Sequence, residues 1–284
     1  EKGFSDDKLY NINEIPVTED IKNICTYIFN VKNLNPYSIT KITKKNIDNK
    51  STIKVSKNSI ENDFIKFEVK NASITVTNKK KSEKYSDFIT VNDFADIGDS
   101  YNFGPLKNDK PIKAKLKSYK VKENNNQRAI LSIKYEINIP YNSSNKGRTK
   151  KQYKHSINVD AILYNNTEYI EFKADWTNKS KNHILKIGFN LREKIEKTLN
   201  EDLFKTVYRK FNPDFDIYKY IPAERGKEIK PNTSPMQRFM SCQNFALITK
   251  GNCEYEINKN TVNLTLLRAT GIISTPKNPS RGTP

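Results

Sequence analysis

The densest group of chemically capable side chains is the run Asp93-Phe94-Ala95-Asp96-Ile97-Gly98-Asp99-Ser100-Tyr101-Asn102-Phe103-Gly104-Pro105. Acids at three-residue intervals invite two readings, a calcium loop or the paired carboxylates of a glycosidase. The alternating acids and terminal Glu of a calcium loop are missing, and spacing alone does not fix the distance between two carboxyl groups. As plain structure, the run is a turn-rich loop between strands. As chemistry, a tyrosine flanked by Gly and Asp on a loop suits a sugar. Its ring lies against a pyranose while its hydroxyl hydrogen-bonds.

Other chemistries find little support. The three cysteines, Cys25, Cys242 and Cys253, include no CxxC pair, and His155 and His183 are the only histidines. A structural zinc site needs four such ligands at close spacing, so no metal site is expected in this chain. Reduced, mostly buried thiols fit a cytoplasmic protein. Glycine-rich phosphate loops of the GxGxxG or GxxxxGK[ST] type do not occur. The net charge of +18 raises nucleic acid as a partner. Yet Lys and Arg are spread through most segments, and the dense runs Lys79–Lys81 and 146–151 sit at turns, where solvated charge is ordinary. Neither is interleaved with aromatics as an RNA-binding sheet motif would be. No nucleic-acid partner is expected. No apolar run of about 18 residues is present to span a bilayer, so no membrane partner is expected either.

The elements that must position the loop show a period of two. Leu131, Ile133, Tyr135, Ile137 and Ile139 alternate with polar neighbours until Pro140. Ile157, Val159, Ala161 and Leu163 repeat the pattern before the turn Asn165-Asn166. Ile170 to Trp176, then Leu185, Ile187 and Phe189, continue it. Ile65, Phe67 and Val69 precede the turn Lys70-Asn71, with Ile74 and Val76 after it. Val262, Leu264 and Leu266 close the series. Alternation over so many segments predicts an all-β chain of antiparallel strands, each with one buried and one solvated face, stacked as a large sandwich. Helix signals are weak. Thr18-Glu19-Asp20 could open a short helix, residues 192–203 have mixed periodicity, and the proline-rich stretch 211–235 reads as a long loop. A polar run, residues 44–52, separates a short N-terminal piece from the main body.

Several motifs carry a family resemblance. Asp96-Ile97-Gly98-Asp99-Ser100-Tyr101-Asn102-Phe103-Gly104-Pro105 resembles the D-x-G-D-E-Y-N-F-S-P segment of glycoside hydrolase family 38, the retaining α-mannosidases. Ile60-Glu61-Asn62-Asp63-Phe64-Ile65 is similar to its L-E-N-E-F-L strand. The segment from Trp176-Thr177-Asn178 through Asn182-His183-Ile184-Leu185-Lys186 resembles x-N-x-x-x-D-H-R-L-R. Pro235-Met236-Gln237-Arg238-Phe239 is similar to P-M-Q-x-F, and Leu264 to Gly271 to L-T-L-L-R-x-x-G. Residues 27–37 resemble the last strands of the small β domain that precedes the large one. The matches run in the family's order over residues 22–284.

The resemblance implies a C-terminal β domain. Residues 57–284 would form a galactose mutarotase-like supersandwich, truncated at its C-terminal end. Residues 1–56 would be a remnant of the preceding helical and small β domains. The catalytic residues and the zinc ion of the family belong to an N-terminal barrel, so no catalytic residue of this chain is expected. Tyr101 would bind the mannoside and Asp99 would orient its loop, with Asp96 and Asn102 bracing it. Arg281, in Pro279-Ser280-Arg281-Gly282-Thr283-Pro284, resembles R-x-G-x-A-G-P on the substrate side, departing from its A-G-P ending. Arg238, Arg268 and His183 read as structural. The partners implied are an α-mannoside and the protein's own catalytic domain. A stand-alone carbohydrate-binding module is the alternative. A mutarotase-like epimerase would need a catalytic His and Glu in one cleft, which two scattered histidines do not supply.

Overall fold

The computed structural model describes residues 36–39, 51–100, 103–212, 214 and 233–271. Among them every regular element is a strand, and none is a helix able to cross a membrane. The chain opens with a meander of β1 (Lys54–Ser56), β2 (Ser59–Glu61), β3 (Ile65–Lys70), β4 (Ser73–Asn78) and β5 (Glu83–Tyr85). Asn71 and Ala72, both at positive φ, make the two-residue turn between β3 and β4. Next come β6 (Ile89–Ala95) and the short β7 (Ile112–Lys113). The long pair β8 (Lys115–Asn124) and β9 (Arg128–Pro140) follows, then a small hairpin of β10 (Ser143–Ser144) and β11 (Gly147–Arg148). Then come β12 (Gln152–Tyr164), β13 (Ile170–Trp176) and β14 (His183–Asn190). The rest comprises β15 (Lys197–Asp202), β16 (Lys205–Lys210), β17 (Thr233–Pro235), β18 (Phe239–Cys242), β19 (Phe245–Ile248), β20 (Glu254–Asn258) and β21 (Thr261–Ala269).

These strands fall into the five-stranded meander sheet, the β10–β11 hairpin and three further sheets. The further sheets have the orders β13-β12-β9-β8, β17-β20-β21-β14-β6-β7 and β16-β15-β18-β19. Described pairings are antiparallel, as the alternation predicts. The alternating apolar residues of β3, β9, β12 and β14 meet in one shared core, with Phe67, Leu131, Ile133 and Val159 fully buried. Removing each such side chain from water contributes roughly 1.5–3 kcal/mol. Residues 192–203, ambiguous in sequence, become β15 and its flanking turns. Residues 233–235 of the expected long loop become β17, while 215–232 lie outside the described residues, as does Thr18.

Charge is placed as a sheet requires. The edge strand β8 exposes Lys115, Lys117, Lys120 and Lys122, which discourages pairing with another chain. On the outer face beside it, Glu136 lies 2.9 Å from Lys154, and Asp160 lies 2.7 Å from Lys122.

Two buried polar groups in this sheet have opposite fates. His155 is almost fully buried; its Nδ1 donates to the Tyr153 carbonyl at 2.9 Å and its Nε2 accepts from the Lys179 amide at 3.0 Å. That pairing fits the neutral ring, and burial lowers its pKa below the ordinary 6.5. Tyr135, also buried, has a hydroxyl with no hydrogen-bond partner, and burial pushes its pKa up. Two outcomes follow. Tyr135→Phe should raise the unfolding free energy in urea by ~1 kcal/mol, because it removes an unsatisfied buried donor. Since the folded pKa of His155 is depressed, the unfolded chain takes up that proton first. Its contribution is complete above pH 6.5 and is lost as pH falls toward the depressed value. His155→Gln should therefore flatten the acid-side decline of stability measured between about pH 7 and pH 5.

Candidate active-site loop

Strand β6 delivers the chain to Asp96, where a bridge to Pro105 closes a loop over residues 97–104. The neck is tight because two glycines meet there. A Cβ on Gly104 would lie 2.3 Å from the Gly98 nitrogen, so a side chain cannot be added without opening the loop. The Ile97 amide donates to the Gly104 carbonyl at 2.8 Å.

Asp96 holds this neck. Its fully buried carboxylate accepts from the amides of Gly98 at 3.0 Å and Gly104 at 2.9 Å. Its other oxygen accepts from Arg268 Nε at 2.5 Å. Arg268 lies on β21 and also donates to the Ser100 carbonyl at 3.4 Å, while Thr270 Oγ1 donates to the Gly98 carbonyl at 3.2 Å. The bracing role expected of Asp96 and the structural role expected of Arg268 are both seen. Phe103, on the return limb, lies under Lys186 Nζ at 5.5 Å from its ring centre. That lysine is buried on β14, ion-paired with Glu256 at 2.6 Å, and also faces the Phe94 ring.

A second polar cluster underlies the loop. The buried Asp93 carboxylate contacts Arg148 Nη1 at 2.6 Å and His183 Nδ1 at 2.6 Å. Arg148 also grips both oxygens of Asp109, each at 2.8 Å. His183 Nε2 faces Asn178 Oδ1 at 3.0 Å. The Asn182 amide donates to the Ala269 carbonyl, and its own carbonyl accepts from the Asp96 amide. Loops after β6, after β9, before β14 and after β21 are thereby tied together at one end of the six-stranded sheet. Breaking a buried pair of this kind leaves an uncompensated charge and costs about 3–5 kcal/mol.

The candidates of the sequence divide. Asp99 is buried at 1 % exposure and engaged with neighbours. Tyr101, Asn102 and Arg281 lie outside the described residues. His183 is the packed strand-end residue expected of it. Arg148 was missed: it belongs to the basic run 146–151 that reads as solvated charge, yet its side chain is only 12 % exposed. Lys186 and Glu256 were missed as well, since nothing in a period-two pattern marks a buried ion pair. Their only visible signal is a lysine amid the otherwise apolar Ile184-Leu185-Lys186-Ile187.

Chemically, the described acids of this region are committed to structure. Asp93 and Asp109 each pair with Arg148, and Asp96 pairs with Arg268. Among the described residues no group of three His, Cys, Asp or Glu side chains is placed to hold a metal ion. The arrangement presents a braced loop. Asp96→Ala should lower the urea unfolding free energy by ~3 kcal/mol. Adding Arg268→Met should recover part of that loss, because the orphaned cation is removed with its partner.

Comparison with curated proteins finds no match. Solved structures of similar fold include an alpha-mannosidase from Enterococcus faecalis V583, with a TM-score of 0.71 and 20% identity, covering 83% of this chain and 28% of that one. A second is a protein in the glycosyl hydrolase family 38 from Enterococcus faecalis, with a TM-score of 0.70 and 21% identity, covering 82% of this chain and 29% of that one. The chain thus spans less than a third of the length of either structure, and at such identity the likeness concerns the fold. Residues 60–272 match the family model for the glycosyl hydrolases family 38 C-terminal domain. That match takes in the braced loop and nearly all the described strands, and by it the chain belongs to glycosyl hydrolase family 38.

Proposed function

We propose that this chain is the C-terminal β domain of a retaining α-mannosidase and completes an active site built mainly by an N-terminal catalytic portion. The observation that carries the reading is the Asp96-braced loop within the family-matched region. A loop whose ends are locked by a buried carboxylate, two facing glycines and an arginine from another strand is a rigid mount for what it carries. In this reading its substrate-contacting residue is Tyr101. Rigid mounting matters because a substrate contact misplaced by about 1 Å loses most of its catalytic value.

In this reading Tyr101 donates its hydroxyl to a mannose hydroxyl, Asp99 sets the loop from within, and Arg281 approaches from the substrate side. The reaction is double displacement at an α-mannosidic bond, in which a carboxylate forms a glycosyl intermediate that water releases with net retention. The nucleophile, the acid and the zinc ion belong to the catalytic portion. Zinc there would hold sugar hydroxyls and stabilise developing charge. In this reading residues 57–284 are a galactose mutarotase-like supersandwich, and residues 1–56 belong to the domains before it. Cys242 and Cys253 are free thiols, in keeping with a cytoplasmic setting.

Two measurements test this. The isolated chain, supplied with zinc, should not turn over an aryl α-mannoside, and turnover would overturn the assignment. In the polypeptide that joins it to its catalytic portion, Tyr101→Phe should lower kcat/KM about tenfold, the worth of one neutral hydrogen bond. An unchanged value would remove Tyr101 from the site.

A further inference from the structure

The sheet β16-β15-β18-β19 packs one face on the core through Thr198, Asn200, Met240 and Cys242, which are buried. Its register puts Leu199, Tyr208 and Ala246 in one row of the opposite face, and Phe239 and Ile248 in the next. Nothing described covers that face: Tyr208 is 66 % exposed and Ile248 77 %. The β15–β16 hairpin turns on Leu203 and Phe204, exposed at 64 % and 104 %. Phe204 adopts φ 61°, a conformation costly for an aromatic residue and ordinarily filled by Gly or Asn. The edge strand β19 has the apolar sequence Phe245-Ala246-Leu247-Ile248 and pairs only with β18 among the described strands. Solvated edges and hairpin tips normally carry charge or turn residues, as the lysines of β8 do. Apolar residues gathered in this way mark a contact surface.

We propose that this face is where the catalytic portion of the same protein seats, through an apolar patch of its own rimmed by carboxylates. The inference rests on the α-mannosidase reading above and names the surface that reading requires. Charge fixes the partner's chemistry. The carboxylates Glu201 and Asp202 are taken up by Arg238 and Arg209. Lys197 and Lys210 lie on the same face by register, with no described carboxylate partner, and Lys197 lies over the Tyr208 ring at 3.8 Å. A second copy of a chain with net charge +18 would bring like charge against like.

Size and direction point the same way. The similar solved structures extend well beyond the 28–29% that this chain spans, which supplies polypeptide to cover the face. The β15 strand runs from the Lys259 end of β20, where Ile195 bonds, toward Gln237, which bonds Glu201. It therefore heads toward the start of β20, on the side where β21 runs to the Asp96 loop. A domain seated on the hairpin tip would lie at the end of the sheet where that loop projects.

The test compares hydrogen exchange in the isolated chain and in the polypeptide carrying both portions. Amides of β19 and of the 202–205 turn should exchange at least ~10-fold more slowly in the longer polypeptide. Phe204→Asp with Ile248→Lys should abolish that protection and split a single thermal transition into two. Both residues are exposed, so the isolated variant should keep the parent's urea midpoint. Equal exchange in the two forms would overturn the proposal. So would self-association of the isolated chain that the two substitutions abolish, which would assign the face to a second copy. Mannosidase activity of the same longer polypeptide separates the two readings. Activity with an unprotected face refutes the docking alone, and protection without activity refutes the α-mannosidase reading alone.

Discussion

A single buried carboxylate does more for this end of the molecule than any other group. Asp96 joins the loop's two limbs through the Gly98 and Gly104 amides and joins both to β21 through Arg268, 172 residues away in sequence. Each bond is charge-assisted and shielded from water, where such bonds are stronger than on a surface. Asp96 could not serve as an acid or base without releasing that neck. Its chemistry is exhausted by holding geometry.

The same trade runs through the cluster beneath. Asp93, Asp109, Arg148 and His183 place charged and polar groups where burial alone would be unfavourable, and each finds a partner. Such clusters add little net stability compared with apolar packing of equal volume, but they are costly to break. Here the cluster ties together four loops from strands far apart in sequence. Lys186 extends the theme, held by Glu256 and by the faces of Phe94 and Phe103. The supports for the loop are thus polar, while the sheets that carry those supports are fastened by an apolar core.

The outer surfaces of the sheets differ in kind. The β13-β12-β9-β8 face is a mixed field of Lys, Glu and Asp, with a lysine-studded edge, as suits a surface facing water. The small β16-β15-β18-β19 sheet presents Tyr208, Ile248 and a Leu-Phe turn instead. The four exposed lysines of β8 keep that edge from pairing with another chain. Where the lysines border the apolar face, they bias it toward an acidic partner.

Sequence by itself determined the strand content, because side chains alternate faces with period two and one face must be buried. The runs 131–139 and 157–163 follow that rule, whereas the run 185–189 became a strand buried on both faces, because β14 lies inside the six-stranded sheet with Lys186 and Gly188 covered as well. The Asp96–Pro105 segment was legible as a candidate loop from its Gly, Asp and Tyr content and from its likeness to the family. What only the tertiary structure decided was which charges are structural. Arg148 within a basic run and Lys186 within an apolar strand look alike in composition to solvated lysines. They differ only because carboxylates from strands distant in sequence converge on them, and that convergence is set by sheet order and register. The apolar face of the small sheet was hidden for the same reason: residues 199, 208, 239 and 248 become neighbours only when four strands pair.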